Sequence, residues 1–297
     1  MTTTIPLYLI GAPTSAGAYG PGQDAAPATW RHHGLSSALE AVGRSVVDVG
    51  DVAHAVFRED PDHPDAANVE IVADTCRAVA RHVSGALSRG ADVLVLGGDC
   101  TVELGTLAGA LADSRSVGLV YIDGDTDLNT PETGDGILDW MGVAHILGLP
   151  GAKPELAGIA TRSPMLQPDA IRFVAADNTN DAEQRVVDER RLHRYSLAEC
   201  LDAPDAVAAS LGQWAAQFER LLVHVDIDVL DGAAFPLADN DRTIPGLPLP
   251  ALGRLLEALC HLPNFAALTL CEVNPDRAID EDAQFAELIA LLVTALR

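Results

Sequence analysis

Residues 116–127 read SVGLVYIDGDTD, an apolar run without polar alternation that stops on three aspartates, Asp123, Asp125 and Asp127. A run apolar on both faces suits a strand of a parallel sheet covered by helices on each side. Runs of the same kind recur at PLYLI near 6, SVVDV near 45, ADVLVLG at 91, AIRFVAA at 170, RLLVHVDIDVL at 220 and FAALTLCEV at 265. Between them lie amphipathic segments such as VEIVADTCRAVARHVSGALSRG, ended by Gly90, and LPALGRLLEALCHL, whose apolar residues recur at three and four. This alternation predicts a doubly wound α/β fold, a mainly parallel sheet with helices on both faces. Nothing resembling a repeat, a low-complexity tract or a Ser/Gly linker divides the chain, so residues 1–297 are expected to form a single domain. The Pro- and Asp-rich FREDPDHPDAANVE, near 57 to 70, reads as an exposed loop before a helix.

With 297 residues, 48% of them apolar, the chain can bury a large core, which excludes disorder for its bulk. Nineteen Lys and Arg face 43 Asp and Glu, a net charge of −24, and Lys153 is the only lysine. That balance excludes a nucleic-acid or anionic-membrane surface as partner. The N-terminal MTTTIPLYLIGAP has no basic region and reads as a first strand rather than a secretion signal. No apolar stretch reaches the roughly 18 residues of a membrane span. The five cysteines, Cys76, Cys100, Cys200, Cys260 and Cys271, are scattered and include no CxxC pair, poor material for disulfides or structural zinc. A soluble cytoplasmic protein with reduced thiols is expected.

Ligands of open parallel sheets bind beyond the carboxyl ends of the strands, so what each strand ends with matters most. ADVLVLG ends in Gly97-Gly98-Asp99-Cys100, SVGLVYI in Asp123-Gly124-Asp125-Thr126-Asp127, RLLVHV in Asp226-Ile227-Asp228, and FAALTLC in Glu272-Val273-Asn274-Pro275. If the segments are extended, Asp123, Asp125 and Asp127 share one face, as do Asp226 and Asp228. Five carboxylates converging without lysine nearby repel one another strongly unless cations bind or protons are taken up. Two divalent metals sharing bridging carboxylates account for the set, and such pairs activate water for attack. Helix-capping loop acids would explain one DxD pair but poorly explain two.

The strings GGDC, DGDTDLNTPET, HVDIDVLDG and CEVNP, in this order, resemble the signature set of the arginase/agmatinase ureohydrolases, GGDH, DAHxDxNTPxT, SxDxDxxDP and ExNP. The resemblance spans nearly the whole chain, including GQDAAPATWRHHGL near the N-terminus and VVDVGDV as the second strand. It implies a three-layer α/β/α fold and a binuclear manganese hydrolase that cleaves guanidino groups with a metal-bridging hydroxide. Carried over residue by residue, it makes Asp123 and Asp226 bridging ligands, with Cys100 and Asp127 completing one metal site and Asp125 and Asp228 the other. Two Mn²⁺ per chain follow. Cys100 and Asp125 stand where the family has histidine; a thiolate and a carboxylate still ligate, but together they add about two negative charges.

The resemblance also assigns Asp127 and Glu272 to catalysis, with Glu272 pairing the guanidinium, and Asn129 to the substrate α-carboxylate. Asn180 or Asp181, with Glu183, falls where the α-amino group is held, and Thr243 falls beside the guanidine. The proton-shuttling His of arginases has no counterpart; Asp139 aligns best with it, and His145 reads as packed within a helix. An unmodified guanidine has a strongly basic leaving amine that gains from a general acid. A less basic N-hydroxyguanidine asks less. The thiolate and the missing His therefore point to the branch of the family that converts Nω-hydroxy-L-arginine to hydroxyurea and L-ornithine, a step of D-cycloserine biosynthesis. Arginase, agmatinase, guanidinobutyrase and formimidoylglutamase activities, or a decayed non-catalytic ureohydrolase, are the alternatives. A zinc deacetylase on a similar fold would need histidine ligands that the motifs lack. The only partner expected is the small guanidino substrate, and the absence of an arginase-like C-terminal tail predicts a monomer or weak homo-oligomer.

Overall fold

The computed structural model describes residues 5–238 and 245–297. Its strands are β1 (Leu7–Gly11), β2 (Val46–Asp51), β3 (Asp92–Leu96), β4 (Val117–Ile122), β5 (Ile171–Val174), β6 (His193–Tyr195), β7 (Arg220–Asp226) and β8 (Phe265–Cys271). They form one sheet in the order β2-β1-β3-β8-β7-β4-β5-β6, and every pairing is parallel. Each apolar run singled out in the sequence is a strand of this sheet.

Strand residues alternate between two cores. In β4, Val117, Leu119 and Tyr121 join one apolar cluster, and Val120 and Ile122 join the other. The first cluster is closed by the helices Val69–Leu87 and Val102–Leu111, the second by Leu249–Cys260 and Glu281–Leu296. The helix Val69–Leu87 buries Val69, Val72, Ala73, Cys76, Val79 and Val83, the three-and-four spacing of an amphipathic stripe. Its neighbour Val102–Leu111 is buried along its whole length. The two approach closely through Gly105 and Gly109, where a Cβ would stand 2.6 and 2.7 Å from the carbonyl oxygens of Cys76 and Ala80.

Two strands depart from the sequence expectation. β2 is an edge strand exposed along most of its length rather than covered on both faces. β6, with its short polar sequence HRY, has no apolar run to announce it and forms only by adding to the edge at β5. Among the described residues, no helix is long and apolar enough to cross a membrane.

Candidate active site

The strand order brings the motifs together. β3, β8, β7 and β4 are consecutive in the sheet, so the sequence-distant ends carrying Cys100, Glu272, Asp226 and Asp123 become neighbours on its carboxyl edge. A cavity of about 580 Å³ opens there, lined by Cys100, Asp125, Asp127, Asp226, Asp228 and Glu272 among others. The Cys100 sulfur lies 3.2 Å from Asp226 Oδ2. That sulfur and one oxygen each of Asp123 and Asp127 fall within 4.8 Å of one another, and so do single oxygens of Asp123, Asp125 and Asp228. The two groups share Asp123, as two metals with a common carboxylate require.

The acids converge by a route other than the one expected. β4 ends at Ile122, and the aspartates beyond it do not alternate along an extended strand. Asp123 turns back to accept the Asp125 N–H at 2.6 Å, and Asp127 adopts a left-handed φ of 51°. After β7, Asp226 accepts the Asp228 N–H at 2.7 Å as a short 3-10 turn begins, and Asp228 accepts the Gly124 N–H at 3.1 Å. The turns, not strand alternation, aim the carboxylates inward. Glu272, at the end of β8, is also left-handed, with a φ of 62°. Such conformations cost of order 1–3 kcal/mol each and concentrate at functional sites.

Burial pushes the carboxyl groups of Asp123, Asp127, Asp226 and Glu272 well above their ordinary range, and their mutual repulsion adds to it. The Cys100 thiol is raised too, by burial first and then by Cys271 and Asp226. Among the described residues, no Lys or Arg lines the cavity. Asp123 Oδ2 is buried without a hydrogen-bond partner, an acceptor with nothing to accept from. A donor set of carboxylate oxygens and one sulfur, whose two halves have Asp123 in common, fits a pair of divalent cations such as Mn²⁺.

Around this centre the remaining residues divide. Glu272 accepts the Cys100 N–H at 3.0 Å through one oxygen and the buried Gln23 amide at 3.3 Å through the other. Asp139 accepts the same Cys100 N–H at 2.7 Å and lines the cavity. Asn129 lines the cavity with its Oδ1 held by Asn180 Nδ2 at 2.9 Å. Asn180 also forms a reciprocal capping box with Glu183 at the start of the helix Asp181–Arg190. Of the two residues between which the sequence left the α-amino contact open, Asn180 lines the cavity, whereas Asp181 is exposed and does not. Glu183 is buried and accepts from the Thr126 hydroxyl and the Leu128 N–H, both at 3.2 Å, which fixes the loop that carries Asp127. Thr243 lies outside the described residues. His145 is wholly buried, with Nδ1 2.6 Å from the Met141 carbonyl and its pKa pushed down to about 4 by desolvation; it packs within the helix Gly142–Ile146.

Sequence reasoning missed several neighbours. Tyr19 and Trp140 line the cavity with stacked rings 6.2 Å apart, and Asn178 donates to Asp125. Tyr121 donates its hydroxyl to Asp127 Oδ2. His224 Nε2 lies 3.3 Å from the Cys100 sulfur. Its signal was present: HVDID carries His where the string SxDxD carries Ser.

A model of the arginase family matches residues 6–296. The chain belongs to the arginase family. It is a hydrolase acting on C–N bonds of amidines, and manganese dependence is typical of this family. An arginase of Agrobacterium fabrum is 29% identical over 97% of this chain and 89% of its own length. An arginase of Bacillus caldovelox is 25% identical over 98% of this chain and 97% of its own. The solved native structure of the Bacillus caldovelox arginase at pH 5.6 superposes with a TM-score of 0.89 at 24% identity, covering 98% of both chains. That likeness establishes the arginase-like α/β fold.

Proposed function

We propose that this arginase-family protein is a binuclear manganese amidinohydrolase that cleaves Nω-hydroxy-L-arginine to hydroxyurea and L-ornithine. Cys100, Asp123 and Asp127 would hold one ion and Asp125 and Asp228 the other, with Asp123 and Asp226 shared. The observation that carries the reading is the Cys100 sulfur, set among carboxylates at 3.2 Å from Asp226 and within 4.8 Å of Asp123 and Asp127. When bound, the metal pair supplies charge neutralisation and activation of the attacking water.

The chain's own residues supply orientation. Glu272, at the end of β8 beside Cys100, presents a carboxylate to the planar guanidino fork, a pairing with two parallel hydrogen bonds. Asn129 has its carbonyl oxygen committed to Asn180 and Thr133, so its amide N–H groups remain to donate to the α-carboxylate. Asp139 lies close to Glu272 and holds the backbone of Cys100. It aligns best with the proton-shuttling His of arginases, and a carboxyl group, ordinarily ionised near neutral pH, has less proton to give a leaving amine than a histidine does. An N-hydroxylated guanidine, less basic and bearing an oxygen, depends less on that proton. The cavity, about 580 Å³, accommodates an amino acid of arginine's size.

Ornithine release from Nω-hydroxy-L-arginine and from L-arginine, side by side in Mn²⁺-loaded protein and in Cys100→His, tests the reading. Turnover of the hydroxylated substrate alone is expected, in the unaltered protein and still in Cys100→His, which restores a ligand type but not the missing general acid. Arginine turnover equal to or above that of the hydroxylated substrate would overturn the substrate assignment and make Asp139 the working acid. Activity on agmatine, which lacks the α-carboxylate, would remove the role given to Asn129.

A further inference from the structure

Beneath the cavity floor, three side chains form a buried line that the reading above does not use. His224, on β7, is wholly buried, and its ring lies flat on that of Tyr121 with centroids 4.1 Å apart and 10° between planes. Its Nε2 is 3.3 Å from the Cys100 sulfur and its Nδ1 is 3.6 Å from Glu103 Oε2. Glu103 sits on the fully buried helix Val102–Leu111 and is itself 1% exposed. Neither carboxyl oxygen of Glu103 has a hydrogen-bond partner, and neither has His224 Nδ1. Placing an imidazole and a carboxyl group with so few partners inside an apolar layer is costly. The two groups face each other, the Cys100 sulfur and, within 4.8 Å of a His224 ring nitrogen, the Cys271 sulfur.

We infer that His224 is a positioning residue for Cys100: its Nε2–H donates to the sulfur and fixes it toward the metal-facing side, with Glu103 facing Nδ1 at 3.6 Å and holding the ring in place. The inference rests on Cys100 being a metal ligand. It explains how the site carries a thiolate where an imidazole would be neutral: a hydrogen bond to the sulfur draws off part of the added charge. Outer partners of this kind orient ligands and set their donor strength. Tyr121 performs the parallel task for Asp127, so the stacked pair Tyr121–His224 forms a shelf holding two adjacent donors.

The full chain loaded with Co²⁺ in place of Mn²⁺ provides a readout apart from turnover, the near-ultraviolet sulfur-to-cobalt charge-transfer band. The band is expected in the unaltered protein and lost in Cys100→Ser. His224→Ser should retain two Co²⁺ per chain and the band, moved to longer wavelength, because a sulfur without a donor holds its lone pairs at higher energy. His224→Gln, whose amide can donate, should return the band toward its original position, and Glu103→Gln should shift it less than His224→Ser does. An unmoved band in both His224 variants would overturn the inference and leave Cys100 as a ligand. Loss of the band together with one Co²⁺ in His224→Ser would overturn it in favour of His224 as a ligand in its own right. A band absent from the unaltered protein, or surviving in Cys100→Ser, would instead overturn the ligand assignment on which the inference stands.

Discussion

Glu183, which lines the cavity, illustrates how one side chain can also brace the loops of a candidate site. Its carboxyl group is buried and accepts from Thr126, Leu128 and the N–H of Asn180, so it ties the start of one helix to the loop that holds Asp127 in a left-handed turn. Burial raises its pKa, while the two backbone donors act to lower it. Glu183→Gln keeps the volume but replaces one acceptor with a donor facing other donors. Leaving such groups unsatisfied costs about 1–3 kcal/mol, and loosening an outer support of a metal ligand costs roughly 10–100-fold in metal affinity or activity. The expected outcome is a loss of turnover in that range with weaker Mn²⁺ retention on dialysis; unchanged metal retention would show that the 126–128 loop holds itself. The sequence made Glu183 legible as a site residue only through the family resemblance. Its hydrogen bonds to residues 126 and 128 depend on the β4–β5 pairing that sets the helix Asp181–Arg190 beside that loop, and no local pattern records that pairing.

At the scale of elements, legibility followed apolar length. The long runs at 91, 116, 220 and 265 became the four central strands, and their terminal acids line the candidate site, because a strand buried on both faces must be apolar throughout and can turn polar only where it ends. The three-residue β6 and the exposed β2 gave weaker or misleading signals, since edges need no such composition. The DxD strings were read as extended segments and are turns, because a two-residue spacing is equally compatible with side chains that fold back on their own backbone. Gly97-Gly98 at the end of β3 carries a requirement of the same local kind. A Cβ on Gly98 would stand 1.7 Å from the Thr14 carbonyl oxygen, a backbone atom of the loop that also receives the Asp99 N–H. Gly98→Ala should therefore displace the β3 end, lowering stability by about 3 kcal/mol as overpacking does, with Cys100 carried out of register. Urea titration of the Mn²⁺-loaded variant measures the first effect and metal content the second. A variant with both properties intact would mean that the 12–18 loop yields without strain.

Across the whole molecule, the acidic centre links folding to metal and to pH. Asp123, Asp127, Asp226 and Glu272 have folded-state pKa values above their unfolded ones. In metal-free protein the folded state therefore holds protons that the unfolded chain has released once pH exceeds roughly 4, and stability falls as pH rises. His145 acts in the opposite sense: with its pKa lowered to about 4, it withdraws stability as pH falls below the unfolded value of about 6.5. Because His145 is buried away from the cavity, its contribution is the same with and without metal and cancels in the difference between the two. What remains in that difference is competition between Mn²⁺ and protons for the same oxygens, which weakens metal binding at low pH. At pH 7.5 and about 100 times the dissociation constant, each metal adds about 2.7 kcal/mol, so two should raise the unfolding midpoint by roughly 9 °C. At pH 5 the gap between chelator-treated and Mn²⁺-loaded protein should shrink severalfold. A gap that stays constant from pH 5 to 7.5 would mean that the carboxylates do not exchange protons for metal, and that cations bind elsewhere on this acidic chain.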